Sequence, residues 1–176
     1  GKGELLDVIM KVQPSGSSWK VKGAEDAALI AEEWKKQGKK VVFTNGCFDI
    51  LHRGHVEYLA QAADLGDLLI IGLNSDTSIQ RIKGKHRPII DQNARAILLA
   101  ALSFVDYVIL FEQDTPYTLI NSIQPDVLVK GDDYTENNIV GTDVVKAKGG
   151  KVVTIPLVPG ISTSLIEKKI KTPPNA

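Results

Sequence analysis

The sequence has one cysteine, Cys47, so no internal disulfide can brace the fold; that fits a reducing compartment. It has no excess of either charge, because 21 Lys and Arg balance 21 Asp and Glu. No global field therefore draws the chain to nucleic acid or to an anionic membrane. Function must come from local placement of charge. No apolar run approaches the ~20 residues a membrane-spanning helix needs. The opening Gly1-Lys2-Gly3 is neither a charged leader nor an apolar segment, so no secretory signal is read there and the cytoplasm is the expected location. An initiator Met is also missing, as in a processed or recombinant N-terminus. Repeats and low-complexity tracts are absent.

What is there fits one compact domain. The 176 residues are 43% hydrophobic, enough for a sizeable core but not for a second full domain. The pattern predicts an N-terminal helical extension over 1–37, a main domain over 38–171 and a frayed tail over 172–176. Within the extension, 4–11 reads as a short helix, 13–18 as a loop and 24–37 as an amphipathic helix stopped near Gly38. From there short apolar runs alternate with helical periodicity. Strands are expected over 41–43, 68–73, 107–111, 127–129 and 152–155, and helices over 56–65, 91–104, 115–123, 140–147 and 162–170. Asp91 and Ser162 are candidate N-caps, and Pro116 suits a first helical turn. Apolar strands separated by helices imply βαβ units. The expected fold is therefore α/β, a Rossmann-like, doubly wound, five-stranded parallel sheet with helices on both faces.

In such folds ligands bind at the carboxyl ends of the strands. The polar clusters of this sequence follow strands: 44–55, 74–76, 130–134 and 160–164. The first, Thr44-Asn45-Gly46-Cys47-Phe48-Asp49-Ile50-Leu51-His52-Arg53-Gly54-His55, joins a strand to a helix whose free N–H groups and dipole suit a phosphate. Gly46 and Gly54 would let backbone approach a ligand. His52 and His55, three apart, project alike from a first turn and could donate hydrogen bonds to charge developing on phosphorus. Two competing readings stand beside that one. One His could cap the helix while the other packs, or the pair could be half of a zinc site. Zinc is disfavoured because His86 is distant in sequence and Cys47 is the only thiol, short of the four-ligand norm; no protein-held metal site is expected.

The stretch Gly46 to His55 resembles the first signature of the nucleotidyltransferase superfamily that includes cytidylyltransferases and pantetheine-phosphate adenylyltransferase. Gly160-Ile161-Ser162-Thr163-Ser164 resembles the second, where a helix N-terminus would hold the β- and γ-phosphates. Within the superfamily the chain is similar to the heptose 1-phosphate adenylyltransferases from about Ala24 to Ile170. The matching stretches include Lys83-Gly84 with Arg87-Pro88-Ile89, and Val129-Lys130-Gly131-Asp132-Asp133-Tyr134. This resemblance implies ATP as donor with Mg2+, a sugar phosphate as acceptor and ADP-heptose for lipopolysaccharide as product. It also implies no nucleic acid or membrane partner, and a homodimer, for which the apolar 96–104 helix could serve. No sugar-kinase domain precedes the stretch, so the stand-alone form, with a separate heptose kinase, is the expectation.

The same resemblance implies catalytic roles for His52, His55 and Lys83. It implies nucleotide binding by Thr44, Asn45, Gly46, Cys47, Phe48, Gly54, Lys130, Asp132, Asp133, Ser162, Thr163 and Ser164, and substrate binding by Asn74, Asp76, Arg87 and Arg95. Glycerol-3-phosphate cytidylyltransferases carry Arg-Thr just before the second signature; here those positions are Leu157 and Val158, which argues against a cytidylyl reading. A non-catalytic nucleotide-binding module is opposed by the intact His pair. A fragment of a class I aminoacyl-tRNA synthetase is opposed by the missing Lys-Met-Ser-Lys-Ser loop and the absent basic surplus.

Overall fold

The computed structural model describes residues 16–172. The helix expected over 4–11, the start of the 13–18 loop and the tail from 173 lie outside the described residues. Six parallel strands form one sheet in the order β1-β4-β3-β2-β5-β6: β1 Val21–Gly23, β2 Val41–Gly46, β3 Leu68–Asn74, β4 Tyr107–Phe111, β5 Val127–Gly131 and β6 Lys151–Ile155. The helices are α1 Ala24–Lys36, α2 Arg53–Ala63, α3 Asp76–Lys83, α4 Gln92–Ala100, α5 Tyr117–Ile123, α6 Thr142–Ala147 and α7 Thr163–Lys171. None of them is long and apolar enough to cross a membrane.

Strand alternation decides how the sheet is covered. Val41, Phe43, Leu68, Ile70, Tyr107, Ile109 and Leu128 point to one face, where Ala27 and Ala31 of α1 and residues of α5 and α6 cover them. Val42, Leu69, Ile71, Leu73, Val108, Val127 and Val129 point to the other, against Tyr58, Leu59 and Ala62 of α2 and Ala96, Leu99 and Ala100 of α4. Burial on both faces is why the central strands read as unbroken apolar runs.

The sheet has six strands rather than five. The added β1 pairs Val21, Lys22 and Gly23 with Val108, Ile109 and Leu110 at the sheet edge. Three residues with one apolar side chain carry no periodic signal; the pairing exists only because β4 offers an open edge. Helix α3, over Asp76–Lys83, was not among the expected helices. Ser75 caps it, accepting from Ser78 N, and Gly84 ends it at φ +99. Asp91 and Ser162 do act as N-caps, Asp91 accepting from Asn93 N and Ala94 N and Ser162 from Leu165 N. Helix α4 stops at Ala100, short of 104, because tight turns from Leu102 N to Leu99 O and from Val105 N to Leu102 O replace its last ladder.

The chain runs from β2 outward through β3 to β4, then returns to place β5 on the other side of β2. The crevice at the carboxyl ends of β2 and β5 is thus the topological switch point.

Candidate active site

The loop from β2 to α2 is bent by two non-glycine residues in the left-handed region, Phe48 at φ 47 and Ile50 at φ 59. Each costs about 1–2 kcal/mol in isolation. The turn they make buries the Asp49 side chain between them, 4% exposed. Its carboxylate accepts from Arg87 Nη1 at 3.0 Å, Ile89 N at 2.9 Å and Ile90 N at 3.0 Å. Its backbone carbonyl accepts from Thr163 Oγ1 at 2.7 Å. One residue therefore ties the His loop, the segment after α3 and the start of α7 together. Burial pushes its carboxyl up, but the two N–H groups and Arg87 outweigh this and hold it below the usual carboxylate range.

His52 is the N-cap of α2. Its Nδ1 accepts from His55 N at 3.4 Å, and His52 N donates to His55 Nδ1 at 3.3 Å. The imidazoles stack with centroids 3.7 Å apart and planes 18° apart, and the edge of Phe48 meets His55 at 5.3 Å. Both Nδ1 atoms act as acceptors, so in the neutral rings the proton sits on Nε2, a free donor. Burial lowers both imidazoles. For His55 the charges of His52 and Lys83 add to burial and bring it to about 4. The pair is neutral at physiological pH. Capping occupies the two Nδ1 atoms and leaves the Nε2–H groups unused, so the capping reading does not exclude the phosphate reading set against it.

His55 opens onto a cavity of ≈ 360 Å³ whose wall also holds Cys47, Phe48, Asp49, Lys83, His86, Arg87, Thr163 and Ser164. Lys83 ends α3, and Thr163 and Ser164 begin α7, whose N-terminus favours an anion. Seven of the expected site residues thus meet in one wall. Four more support it. Gly46 faces the Phe48 ring, His52 stacks on His55, Ser162 caps α7, and Gly54 lies beneath the His52 ring and Ile161. The space at Gly46 and Gly54 is filled by protein side chains rather than left for a ligand.

Other expected residues stand apart from the cavity wall. Arg95 is 1% exposed, and its guanidinium is spent internally on Ile90 O at 2.9 Å, Cys47 O at 2.6 Å, Asn74 O at 2.9 Å and Asp76 Oδ1 at 2.7 Å. It holds site segments together and has no face for a substrate. Asn74 is buried, with its amide on Ser78 Oγ, and the Asp76 carboxylate is the partner of Arg95. All three were expected to touch the sugar phosphate; Arg95 and Asn74 are buried as scaffold, and Asp76 joins them through Arg95 with its side chain 31% exposed. Thr44 is fully buried, its hydroxyl donating to Val129 O at 2.9 Å and sharing a bond with Tyr58 Oη at 2.8 Å.

Lys130, Asp132 and Asp133 lie at the end of β5, next to β2. Lys130 Nζ donates to Asn45 O at 3.3 Å and stands 5.2 Å from the Tyr134 ring centre. Burial pulls its ammonium below the ordinary lysine range, with Asp133 opposing. Asp132 Oδ1 accepts from Leu157 N at 3.2 Å, joining this strand end to the loop after β6. Asn45 Oδ1 is buried without a hydrogen-bond partner, the one such side-chain atom among the described residues. Sequence reasoning missed Asp49, His86 and also Glu167, whose carboxylate pairs with Arg87. Asp49 sat in the first signature, but nothing in spacing shows which way its side chain turns.

A family model described as cytidylyltransferase-like matches residues 43–169. The bifunctional protein HldE of Geobacter metallireducens is 52% identical over 161 residues, 92% of this chain and 33% of that protein. Its counterpart in Geobacter sulfurreducens is 54% identical over 151 residues, 86% of this chain and 31% of that one. The chain thus spans about a third of the length of the HldE relatives. Among solved structures, the lipopolysaccharide core biosynthesis protein of Thermoplasma volcanium is 32% identical with a TM-score of 0.57, over 69% of this chain and 98% of that one. The matched span holds the His pair, the basic segment and the capped α7 in one continuous stretch, and on that agreement the chain belongs to the cytidylyltransferase-like family.

Proposed function

We propose that this chain is a nucleotidyltransferase that moves AMP from ATP to D-glycero-β-D-manno-heptose 1-phosphate and releases pyrophosphate. The observation that carries this reading is the stacked, neutral His52–His55 pair at the mouth of a cavity walled by Lys83, Arg87 and the N-terminus of α7. A phosphate oxygen of the sugar phosphate attacks the α-phosphorus in line. The new P–O bond forms as the bond from the α-phosphorus to the bridging oxygen breaks, and the electron pair leaves with pyrophosphate. The nucleophile is already anionic, so no general base is needed. The protein's work is positioning and electrostatic stabilisation. His55 Nε2–H donates to the charge that develops on the phosphoryl oxygens, and Lys83 neutralises it.

Mg2+ bound to the nucleotide phosphates would supply charge neutralisation at the leaving group. Among the described residues no three His, Cys, Asp or Glu side chains are grouped to hold a metal. The likeness to bifunctional HldE proteins and to a lipopolysaccharide core biosynthesis protein supports heptose as the sugar. In this reading the enzyme works in the cytoplasm as a homodimer, downstream of a heptose kinase, and uses no nucleic acid or membrane partner.

Pyrophosphate release measured with ATP or CTP against heptose 1-phosphate or glycerol 3-phosphate tests the assignment. Turnover only with ATP and heptose 1-phosphate is expected. Turnover with CTP and glycerol 3-phosphate would overturn both substrate assignments while leaving the chemistry.

A further inference from the structure

Arg87 is the most buried cation in the cavity wall, and carboxylates hold both ends of its guanidinium. Nη1 donates to Asp49 Oδ2 at 3.0 Å and Nη2 to Glu167 Oε2 at 2.5 Å. Two carboxylates thus occupy one guanidinium, in a cavity wall that also gathers Lys83, His86 and a helix N-terminus. The two partners are not equivalent. Asp49 also takes the N–H groups of Ile89 and Ile90, so it cannot leave without stranding them. Glu167 has no backbone donor. Its other oxygen rests on Lys171 Nζ at 2.6 Å, and the Lys171 side chain is 72% exposed. Glu167 can therefore swing outward with its lysine while Asp49 keeps Arg87 in place.

We infer that Glu167 is an exchangeable counter-ion, which occupies the anion position of Arg87 until a substrate phosphate displaces it. The identity of the anion rests on the nucleotidyl-transfer reading; the exchange itself does not. Arg87 then acts as a specificity-determining cation. An anion gains its full attraction only if it outcompetes a carboxylate already seated there, which favours a phosphate dianion or polyphosphate over a monovalent acid.

The test is calorimetric titration of the full chain with inorganic pyrophosphate and, separately, with heptose 1-phosphate. The variants are Glu167→Gln, Glu167→Ala, Arg87→Gln and the double variant Arg87→Gln/Glu167→Ala. Removing the resident carboxylate is expected to tighten one of the two ligands about five-fold, the upper end of what a partly exposed ion pair is worth. Whichever ligand responds identifies the source of the phosphate. Arg87→Gln weakens that ligand, and in the double variant the gain from Glu167→Ala disappears. A merely structural Glu167 would weaken binding or leave it alone, not tighten it. Unchanged or weaker binding of both ligands in the two Glu167 variants, with thermal melts like wild type, overturns the exchange. So does a lack of measurable binding of either ligand to wild type and variants alike. Titration reads no turnover, so failure to form ADP-heptose would remove the acceptor assignment and leave the exchange standing.

Discussion

Substituting Gly54 by alanine separates site geometry from stability. Gly54 is the second residue of α2, where a Cβ would lie 3.0 Å from His52 Cε1, 3.1 Å from His52 Nδ1 and 3.2 Å from Ile161 Cγ2. The ring must give by a few tenths of an ångström. It is held on its other side by the stack on His55 at 3.7 Å and by the bond from His55 N. On helix propensity alone the substitution gains up to ~1 kcal/mol. A strained cap loses about as much, ~1 kcal/mol. The two terms oppose each other, so stability should stay within about 1 kcal/mol of wild type. Catalysis has no such offset. A displacement of ~1 Å in a reacting group costs roughly 10²-fold, so a few tenths should cost about tenfold in kcat. Urea unfolding and continuous pyrophosphate release on the same preparation give both numbers. Wild-type kcat at wild-type stability would refute the idea that this packing positions the His pair.

His55→Ala should lose about 3–4 kcal/mol of transition-state stabilisation, the scale of an oxyanion-hole donor, with the fold intact by circular dichroism. The lowered His55 pKa also makes stability depend on pH. The unfolded chain takes up a proton near 6.5 and the folded one only near 4, so stability is full above about pH 6.5 and is lost as pH falls toward 4. The loss is at most roughly 3 kcal/mol from this one group. Denaturant melts at pH 5 and pH 7.5 should show a larger drop for wild type than for His55→Gln; equal drops would detach the effect from His55. Arg95→Met leaves three carbonyls, one buried and two partly buried, and the Asp76 carboxylate without their donor and should cost about 2–3 kcal/mol, read as a lower urea midpoint. A loss of activity at unchanged stability would instead return Arg95 to the substrate.

How far the sequence reached differs by kind of residue. Helix caps were legible at Asp91 and Ser162 because capping chemistry is local. The signature around Gly46 to His55 was legible for the same reason: the β2–α2 connection and the three-residue spacing of the His pair need no distant partner. The roles assigned to Arg95, Asn74 and Asp76 were not legible. A basic or polar residue near a site looks the same in sequence whether it faces a ligand or the carbonyls of neighbouring segments. Asp49 shows the converse, since its partners come from two distant segments, Arg87, Ile89 and Ile90 from one and Thr163 from the other.

The alternation of apolar runs with helical periodicity was enough to specify a parallel α/β sheet, because burying both faces of a strand demands continuous apolar residues. It also determined that the polar clusters would collect at the strands' carboxyl ends. Tertiary structure alone decided the sixth strand, which is only an open edge being filled, and the neutral tautomers of the His pair, which follow from burial and two backbone N–H groups. It alone decided which cations face the cavity and which are consumed inside the protein. Those outcomes depend on where separate segments meet, and no property of a single segment records that.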